Sequence, residues 1–357
     1  MSRVIALAAR ARGTTSPNPM VGAVLVKNGR ILAEAYHKRP GTPHAEALAI
    51  AQAGKKACSS SLYVSLEPCC HTDKRTPPCT KEIIRAGIRK VVVAMQDPNP
   101  KVSGKGLKEL EQAGIKVVSG LLEEKARRLN ECYIKYISTK RPFVILKVAM
   151  TLDGKIATKH GLSRWITGEK SRRMVHRLRS SVDAVMTAIG TVKADNPQLT
   201  SRIGGGRNPK RIIIDPNLET PLDAKVLSSP PETIIVTREI GQAKNSPVRS
   251  RLTSLVNSGI STILFKDVLD LNWLMVRLGE MGITSLMVEG GASLSSHALE
   301  DGVVDKVMFF IAPKILGGKD SIPAVGGIGL QTLKDAYTLK GMTVRRTGED
   351  LLVEGYL

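Results

Sequence analysis

The stretch that decides how this chain is read is His44-Ala45-Glu46, followed by Glu67-Pro68-Cys69 and, after nine intervening residues, Cys79. One imidazole and two thiols supply three ligands for a zinc ion. Three protein ligands leave the fourth position to water, which marks a catalytic rather than a structural site. Zinc lowers the pKa of such a water toward neutrality. Glu46, two residues from the imidazole, is placed to carry protons.

Working outward, residues 44–53 are alanine-rich and helical, with Gly54 as the stop. His44 therefore opens a helix and Glu46 falls in its first turn. Cys69 follows an alternating strand over 61–66, and Cys79 opens a helix over 79–86 that ends at Gly87. Helix N-termini favour anions, so a thiolate is stabilised there. Upstream, a helix over 2–12 precedes strands at 20–27 and 31–36, joined by Asn28-Gly29, a strong hairpin signal. Downstream come a strand at 90–95, a helix at 107–113, a strand at 115–119 and a longer helix at 121–137. This alternation predicts an α/β layered domain. Cys70 and His71 are rival ligands, whereas Cys58 and Cys132 have no partner at useful spacing and read as structural.

Thr139-Lys140-Arg141-Pro142 breaks the pattern, which places a domain boundary between 1–140 and 141–357. The second half reads as strands at 143–150, 184–188, 211–214, 233–236, 261–265, 285–288 and 307–311, with helices at 170–180, 271–281 and 294–299. Gly204-Gly205-Gly206 reads as a loop. No G-x-G-x-x-G follows a strand, so the usual dinucleotide fingerprint is absent. In its place Leu286 to Leu294 reads as strand, glycine turn and helix start, an arrangement that lets free backbone N–H groups meet a phosphate.

Composition narrows the partners. The chain has 357 residues and a formal net charge of +21, with only 3% aromatic residues. Scarce aromatics argue against stacking on nucleic-acid bases. The charge is then read as compositional bias plus small anionic substrates, although a basic field also attracts nucleic acid. No apolar run approaches the roughly 18 residues that span a membrane. The start, MSRVIALAARARG, reads as a basic amphipathic helix and lacks the apolar core of a signal peptide. Five cysteines, three of them clustered, suit a reducing compartment. A cytoplasmic homo-oligomer, with no nucleic-acid or membrane partner, is expected.

The strings TSPNPMVGAVLV, PHAEALA, LEPCCHTDKRTPPC and AMQDPNP resemble the deaminase half of the bacterial bifunctional riboflavin-biosynthesis deaminase/reductases. LKVAMTLDGKIA, SRWITG, RLRSSVDAVMTAIGTVKADNPQLTSR, RIIIDP, VEGG and IAPKILGG resemble the reductase half. The order His-x-Glu, Pro-Cys, Cys is that of zinc deaminases. The long Cys–Cys loop ending in Thr76-Pro77-Pro78-Cys79 is similar to that of the riboflavin family, one residue longer than is usual there. The resemblance implies a cytidine-deaminase-like αβα layered domain followed by a dihydrofolate-reductase-like α/β domain.

It also implies zinc-dependent deamination of 2,5-diamino-6-(5-phosphoribosylamino)pyrimidin-4-one, then NADPH reduction of the ribosyl chain to ribityl. His44, Cys69 and Cys79 are implied as metal ligands and Glu46 as the catalytic residue. Asn18 is a candidate contact to the pyrimidine, and His71, Lys74 and Arg75 to its phosphate. Ala149, Trp165, Thr191, Asp195 and the run Gly291, Ala292, Ser293, Leu294, Ser295, Ser296, His297 lie where the family holds NADP. Ser163, Arg179, Leu199, Arg202 and Glu289 lie where it holds the phosphoribosyl substrate, and Arg179 and Arg202 suit a phosphate fork. Pro216 stands at a position that can be a cofactor-contacting Ser in relatives. Lys147 and Asp195 are candidates to assist proton movement. The competing reading is an RNA- or DNA-acting zinc deaminase whose basic second domain binds nucleic acid.

Overall fold

The computed structural model describes residues 1–71, 77–228, 230–239 and 247–357. Lys74 and Arg75 lie outside the described residues. The chain divides into two compact units, Met1–Lys140 and Arg141–Leu357.

The first unit runs α1 (Ser2–Ala9), β1 (Gly22–Lys27), β2 (Arg30–Tyr36), α2 (Ala45–Ala53), β3 (Ser61–Val64), α3 (Cys79–Arg85), β4 (Lys90–Val93), α4 (Lys105–Gln112), β5 (Lys116–Ser119), α5 (Glu123–Leu129) and α6 (Glu131–Thr139). Its sheet has the order β2-β1-β3-β4-β5. β1 is antiparallel to both β2 and β3, and β3, β4 and β5 are parallel. The β1–β2 turn places Asn28 and Gly29 at φ 49° and 72°, the left-handed pair a tight hairpin needs. Buried Leu25, Leu62, Val64, Val91 and Val93 form an aliphatic core with Ala45, Ala49 and Ala53 of α2. The alanine face lets α2 lie close to the sheet, which brings His44 and Glu46 to the ends of the strands.

One expectation fails here. The helix expected over 121–137 is two helices that meet at Asn130, whose backbone leaves helical geometry at φ −104°, ψ 20°. The cause is tertiary. The Asn130 side chain accepts the Met20 N–H at 2.8 Å and donates to the Met20 carbonyl at 3.0 Å. A side chain committed to another segment's backbone holds its residue out of the regular ladder.

The second unit runs β6 (Phe143–Thr151), β7 (Lys155–Ala157), α7 (Glu169–Ser181), β8 (Ala184–Ala188), α8 (Ile189–Asp195), β9 (Lys210–Ile214), β10 (Thr233–Arg238), α9 (Pro247–Asn257), β11 (Ser261–Phe265), α10 (Leu271–Glu280), β12 (Ser285–Val288), α11 (Ala292–Glu300), β13 (Lys306–Ala312), β14 (Ile322–Pro323), β15 (Lys340–Thr347) and β16 (Asp350–Tyr356). A nine-stranded sheet has the order β11-β10-β9-β8-β12-β6-β13-β16-β15, and β7 and β14 form a separate ribbon. Strands β11 to β13 are parallel, and β16 and β15 close the edge antiparallel. The parallel strands read as unbroken apolar runs because both faces are covered. Val144 and Leu146, Ile212 and Ile213, and Leu286 to Val288 are all buried. The chain leaves β6, β8 and β12 at their carboxyl ends, and ligands bind at such ends in open parallel sheets.

Candidate active sites

In the first unit, three side chains far apart in sequence converge. His44 caps the start of α2, Cys79 opens α3, and Cys69 lies beyond the end of β3. The donor atoms of His44, Cys69 and Cys79 lie within 4.8 Å of one another. His44 Nδ1 stands 3.2 Å from Cys79 Sγ and 3.5 Å from Cys69 Sγ. One nitrogen and two sulfurs at this separation suit tetrahedral zinc with an open position. Cys70 is not in the group.

Glu46 is 3% exposed, and its Oε2 has no hydrogen-bond partner among the described residues. Burial, and then the neighbouring Cys69 thiolate, push its carboxyl above the usual range. A buried carboxylate with a spare oxygen beside a metal-ligand cluster is a proton carrier in waiting. Asn18 does not stand alone: its Nδ2 lies 3.2 Å from Nε2 of buried His37, whose ring meets His44 edge-on at 5.4 Å.

Sequence reading missed Glu67. Its buried carboxylate accepts four backbone N–H groups: Asp97 at 3.1 Å, Gly104 at 2.9 Å, Gly106 at 2.9 Å and Leu107 at 3.3 Å. It thereby caps α4, which has no side-chain cap of its own and no acidic residue in its first turn. The segment it ties down carries Val102, which packs against Cys69 and Cys79.

In the second unit a cavity of about 1120 Å³ opens at the carboxyl ends of β6, β8 and β12. That is at the top of the roughly 300–1,000 Å³ range of ligand pockets. Ala149, Ser163, Trp165, Arg179, Thr191, Asp195, Leu199, Arg202, Glu289 and Gly291 to Leu294 all line it. Ser295, Ser296 and His297 do not. Ser295 and Ser296 are buried in α11, where Gly326 donates to the Ala292 carbonyl at 3.0 Å and a Cβ on Gly327 would collide with the Ser296 hydroxyl. His297 instead faces Asp301 at 3.4 Å.

Glu289 is the hub of the cavity floor. Arg179 donates to it twice, from Nε at 3.0 Å and Nη2 at 2.8 Å, and Lys147 donates at 3.0 Å. Burial opposes its charge, but Arg179 and Lys147 outweigh burial and hold the carboxyl well below its usual range. The fork of Arg179 is thus committed to Glu289, while Arg202 has no hydrogen-bond partner among the described residues. Burial, then the positive charges of Arg179 and Arg164, lower the pKa of Arg202. An anion would relieve that repulsion. Asp195 accepts the Ser163 hydroxyl at 3.0 Å. Arg172 and His176 also line the cavity and were missed. Their signal was the spacing Arg172, His176, Arg179, which puts three basic side chains on one face of α7.

The comparisons agree with both halves. Residues 142–353 match the RibD C-terminal domain, and residues 1–95 match the zinc-binding region of cytidine and deoxycytidylate deaminases. The chain is 44% identical to the riboflavin biosynthesis protein RibD of Actinobacillus pleuropneumoniae, over 99% of this chain and 93% of that one. It is 41% identical to RibD of Escherichia coli K12, over 98% and 96% of the two chains. Among solved structures, Acinetobacter baumannii RibD is similar at TM-score 0.89 and 35% identity, covering 99% of this chain and 97% of that one. The Thermotoga maritima diaminohydroxyphosphoribosylaminopyrimidine deaminase/5-amino-6-(5-phosphoribosylamino)uracil reductase is similar at TM-score 0.88 and 39% identity, covering 100% and 97%. A nucleic-acid-binding second domain is not favoured, because that half matches the RibD reductase region instead. A cluster of three zinc-type ligands in a deaminase-like unit, a large cavity at the strand ends of the other and full-length likeness to these proteins lead to one conclusion: the chain belongs to the RibD family of bifunctional riboflavin-biosynthesis deaminase/reductases.

Proposed function

We propose that the unit 1–140 hydrolyses the amine of 2,5-diamino-6-(5-phosphoribosylamino)pyrimidin-4-one, and that the unit 141–357 reduces the ribosyl chain of the product with NADPH. The final product is 5-amino-6-(5-phosphoribitylamino)uracil. The observation that carries the deaminase assignment is a His44–Cys69–Cys79 cluster within 4.8 Å beside a buried Glu46 oxygen without a partner.

His44, Cys69 and Cys79 would hold a zinc ion, whose Lewis acidity would make water reactive at neutral pH. Glu46 takes the proton of the attacking water. It passes that proton to the ring nitrogen, then takes the second proton from the new hydroxyl as the carbonyl forms and gives it to the departing amine, so that ammonia leaves and Glu46 ends as it began. Asn18, held by His37, faces the pyrimidine edge. Val102 and the Glu67 clasp keep the thiolates dry.

When bound in the second unit, NADPH would supply the hydride that reduces the anomeric carbon of the opened ribose, with a proton taken up at the adjacent heteroatom. Trp165, Thr191, Asp195, Ala149 and the α11 start at Gly291–Leu294 hold the cofactor, and Ser295 to His297 support that start from within the helix. Ser163, Leu199, Arg202, Arg179 and Glu289 hold the phosphoribosyl substrate. Arg202 supplies the charge for the phosphate, and Arg179 keeps Glu289 ionised.

The protein acts in the cytoplasm as a homo-oligomer. Five cysteines without a disulfide suit a reducing compartment and support the first point. The exposed edge strand β15, with Met342 60% and Val344 55% exposed, supports the second. Light scattering that found a monomer at all concentrations would overturn that second point.

The deciding experiment incubates purified protein with the diaminopyrimidinone phosphate, with and without NADPH, and reads products by mass. Deamination is expected in both, and reduction only with NADPH. Glu46→Gln should retain zinc and release no ammonia; ammonia release at the parent rate would remove Glu46 from its role.

A further inference from the structure

We infer that Asp350, in the C-terminal hairpin, is a positioning residue for the Arg172–Trp165 wall of the second cavity and acts through the first turn of α7. This rests on the reading that the cavity takes NADPH. A helix leaves its first N–H groups without internal partners. At the start of α7 stands Gly168, which has no side chain to cap with. Asp350 supplies the cap from 182 positions away. Its Oδ2 accepts the Gly168 N–H at 2.8 Å and also the Ser171 hydroxyl.

Two further contacts seat the hairpin on the same turn. Ser171 lies 3.4 Å from the Thr347 carbonyl that accepts from its hydroxyl. Gly348, at φ +71°, lies so close to Lys170 that a Cβ there would meet the lysine Cδ at 3.2 Å. Asp350 is 2% exposed although it follows directly on the hairpin turn, so its carboxylate is committed to this cap and not to solvent.

The turn that Asp350 holds leads into Arg172. Arg172 Nη1 donates to the Thr167 carbonyl at 2.7 Å, and its guanidinium carbon stands 4.6 Å from the centre of the Trp165 ring. Both residues line the cavity. Trp165 is 62% exposed, so packing does not fix it. What holds it is the close cation–π contact with Arg172, a longer one with Arg164 at 6.0 Å, and the bond from Lys314 Nζ to its carbonyl at 2.8 Å. Two turns further on, Arg179 is locked to Glu289 and the Thr200 carbonyl, beyond the reach of fraying at residue 169. Loss of the Asp350 cap therefore loosens the Trp165 side of the cavity and spares the Glu289 side.

The test uses the full chain with Trp273→Phe, which leaves Trp165 as the sole indole. Asp350→Ala is expected to shift Trp165 emission in the free protein. It should weaken NADPH binding roughly fivefold, the size of a lost helix cap expressed as affinity. The KM for NADPH should rise while kcat stays near the parent value. Asp350→Asn keeps an acceptor for Gly168 and should restore most of the affinity. Unchanged emission and affinity in Asp350→Ala, with native far-UV circular dichroism, would overturn the inference. If that variant does not fold, Ser171→Ala removes one of the two bonds and should move both readouts the same way, by about twofold in affinity. Its failure to do so is equally decisive. A parent protein that binds no NADPH would sink the cofactor reading alone, because Trp165 emission still tests the position of the ring.

Discussion

Glu67 shows how much of a site lies in residues that never touch a substrate. Four N–H groups from residues 97–107 end on one buried carboxylate. Glu67→Gln keeps the shape but turns one acceptor into a donor that faces other donors. Each buried N–H left without a partner costs about 1–3 kcal/mol, so a loss of about 3 kcal/mol is expected. Urea unfolding measures it, and chelator competition should show faster loss of zinc; a change below about 0.5 kcal/mol would refute the clasp. No spacing rule reveals such a role, since its partners are backbone groups 30 to 40 positions away. The grouping of His44, Cys69 and Cys79 was legible because their chemistry is in the side chains and their order along the chain forms a recognisable pattern, although 35 positions separate the first from the last. Glu289 follows a different logic. Arg179 and Lys147 depress its carboxyl, so its contribution to stability is complete above the ordinary value of 4.5 and is lost as pH falls below it. Glu289→Gln strands two buried cations and should cost about 3 kcal/mol at pH 7. The gap between parent and variant in urea should narrow steadily from pH 4.5 toward pH 2. A gap independent of pH would mean that the carboxylate is not ionised by its neighbours.

At the level of elements, periodicity located those whose pattern is internal and missed those set by distant contacts. The hairpin β1–β2 follows from Asn28-Gly29, and the parallel strands from their apolar runs. The break at Asn130 was invisible because its cause is the backbone of Met20, 110 positions away. Strands β15 and β16 were also missed. β15 is an exposed edge without a buried face, and alternation cannot mark a strand that buries neither side. Glycine carries one element-scale consequence. A Cβ on Gly106 in α4 would sit 2.2 Å from the Pro68 carbonyl and 3.1 Å from Glu67 Oε1. Backbone cannot swing aside as a side chain can, so α4 must move away from the strand end that carries Cys69. Gly106→Ala raises helix propensity, yet it should destabilise the protein by about 1–3 kcal/mol through overpacking. A thermal melt at or above the parent value would show that α4 is free to shift.

Across the whole chain, the two chemistries occupy separate compact units. The candidate zinc ligands and Glu46 belong to Met1–Lys140, and every residue that lines the large cavity belongs to Arg141–Leu357. That separation makes metal removal a selective perturbation. A ligand that binds only the folded state adds stability in proportion to the logarithm of its occupancy, and the gain falls on the unit that binds it. Treatment with a strong zinc chelator should therefore abolish ammonia release. It should also lower the unfolding temperature of the first unit and leave the second transition in place. Reduction of already deaminated substrate by NADPH should continue at the untreated rate, because Glu289 is bonded to Lys147 and Arg179 and the cavity lining comes from residues 147–322. The measurement is a pair of assays on one chelated sample, ammonia release and NADPH oxidation, beside a calorimetric scan, with zinc added back to show reversal. Loss of both activities on chelation would mean that the reductase cavity depends on the metal-bearing unit, and the assignment of independent chemistry to each half would have to be abandoned.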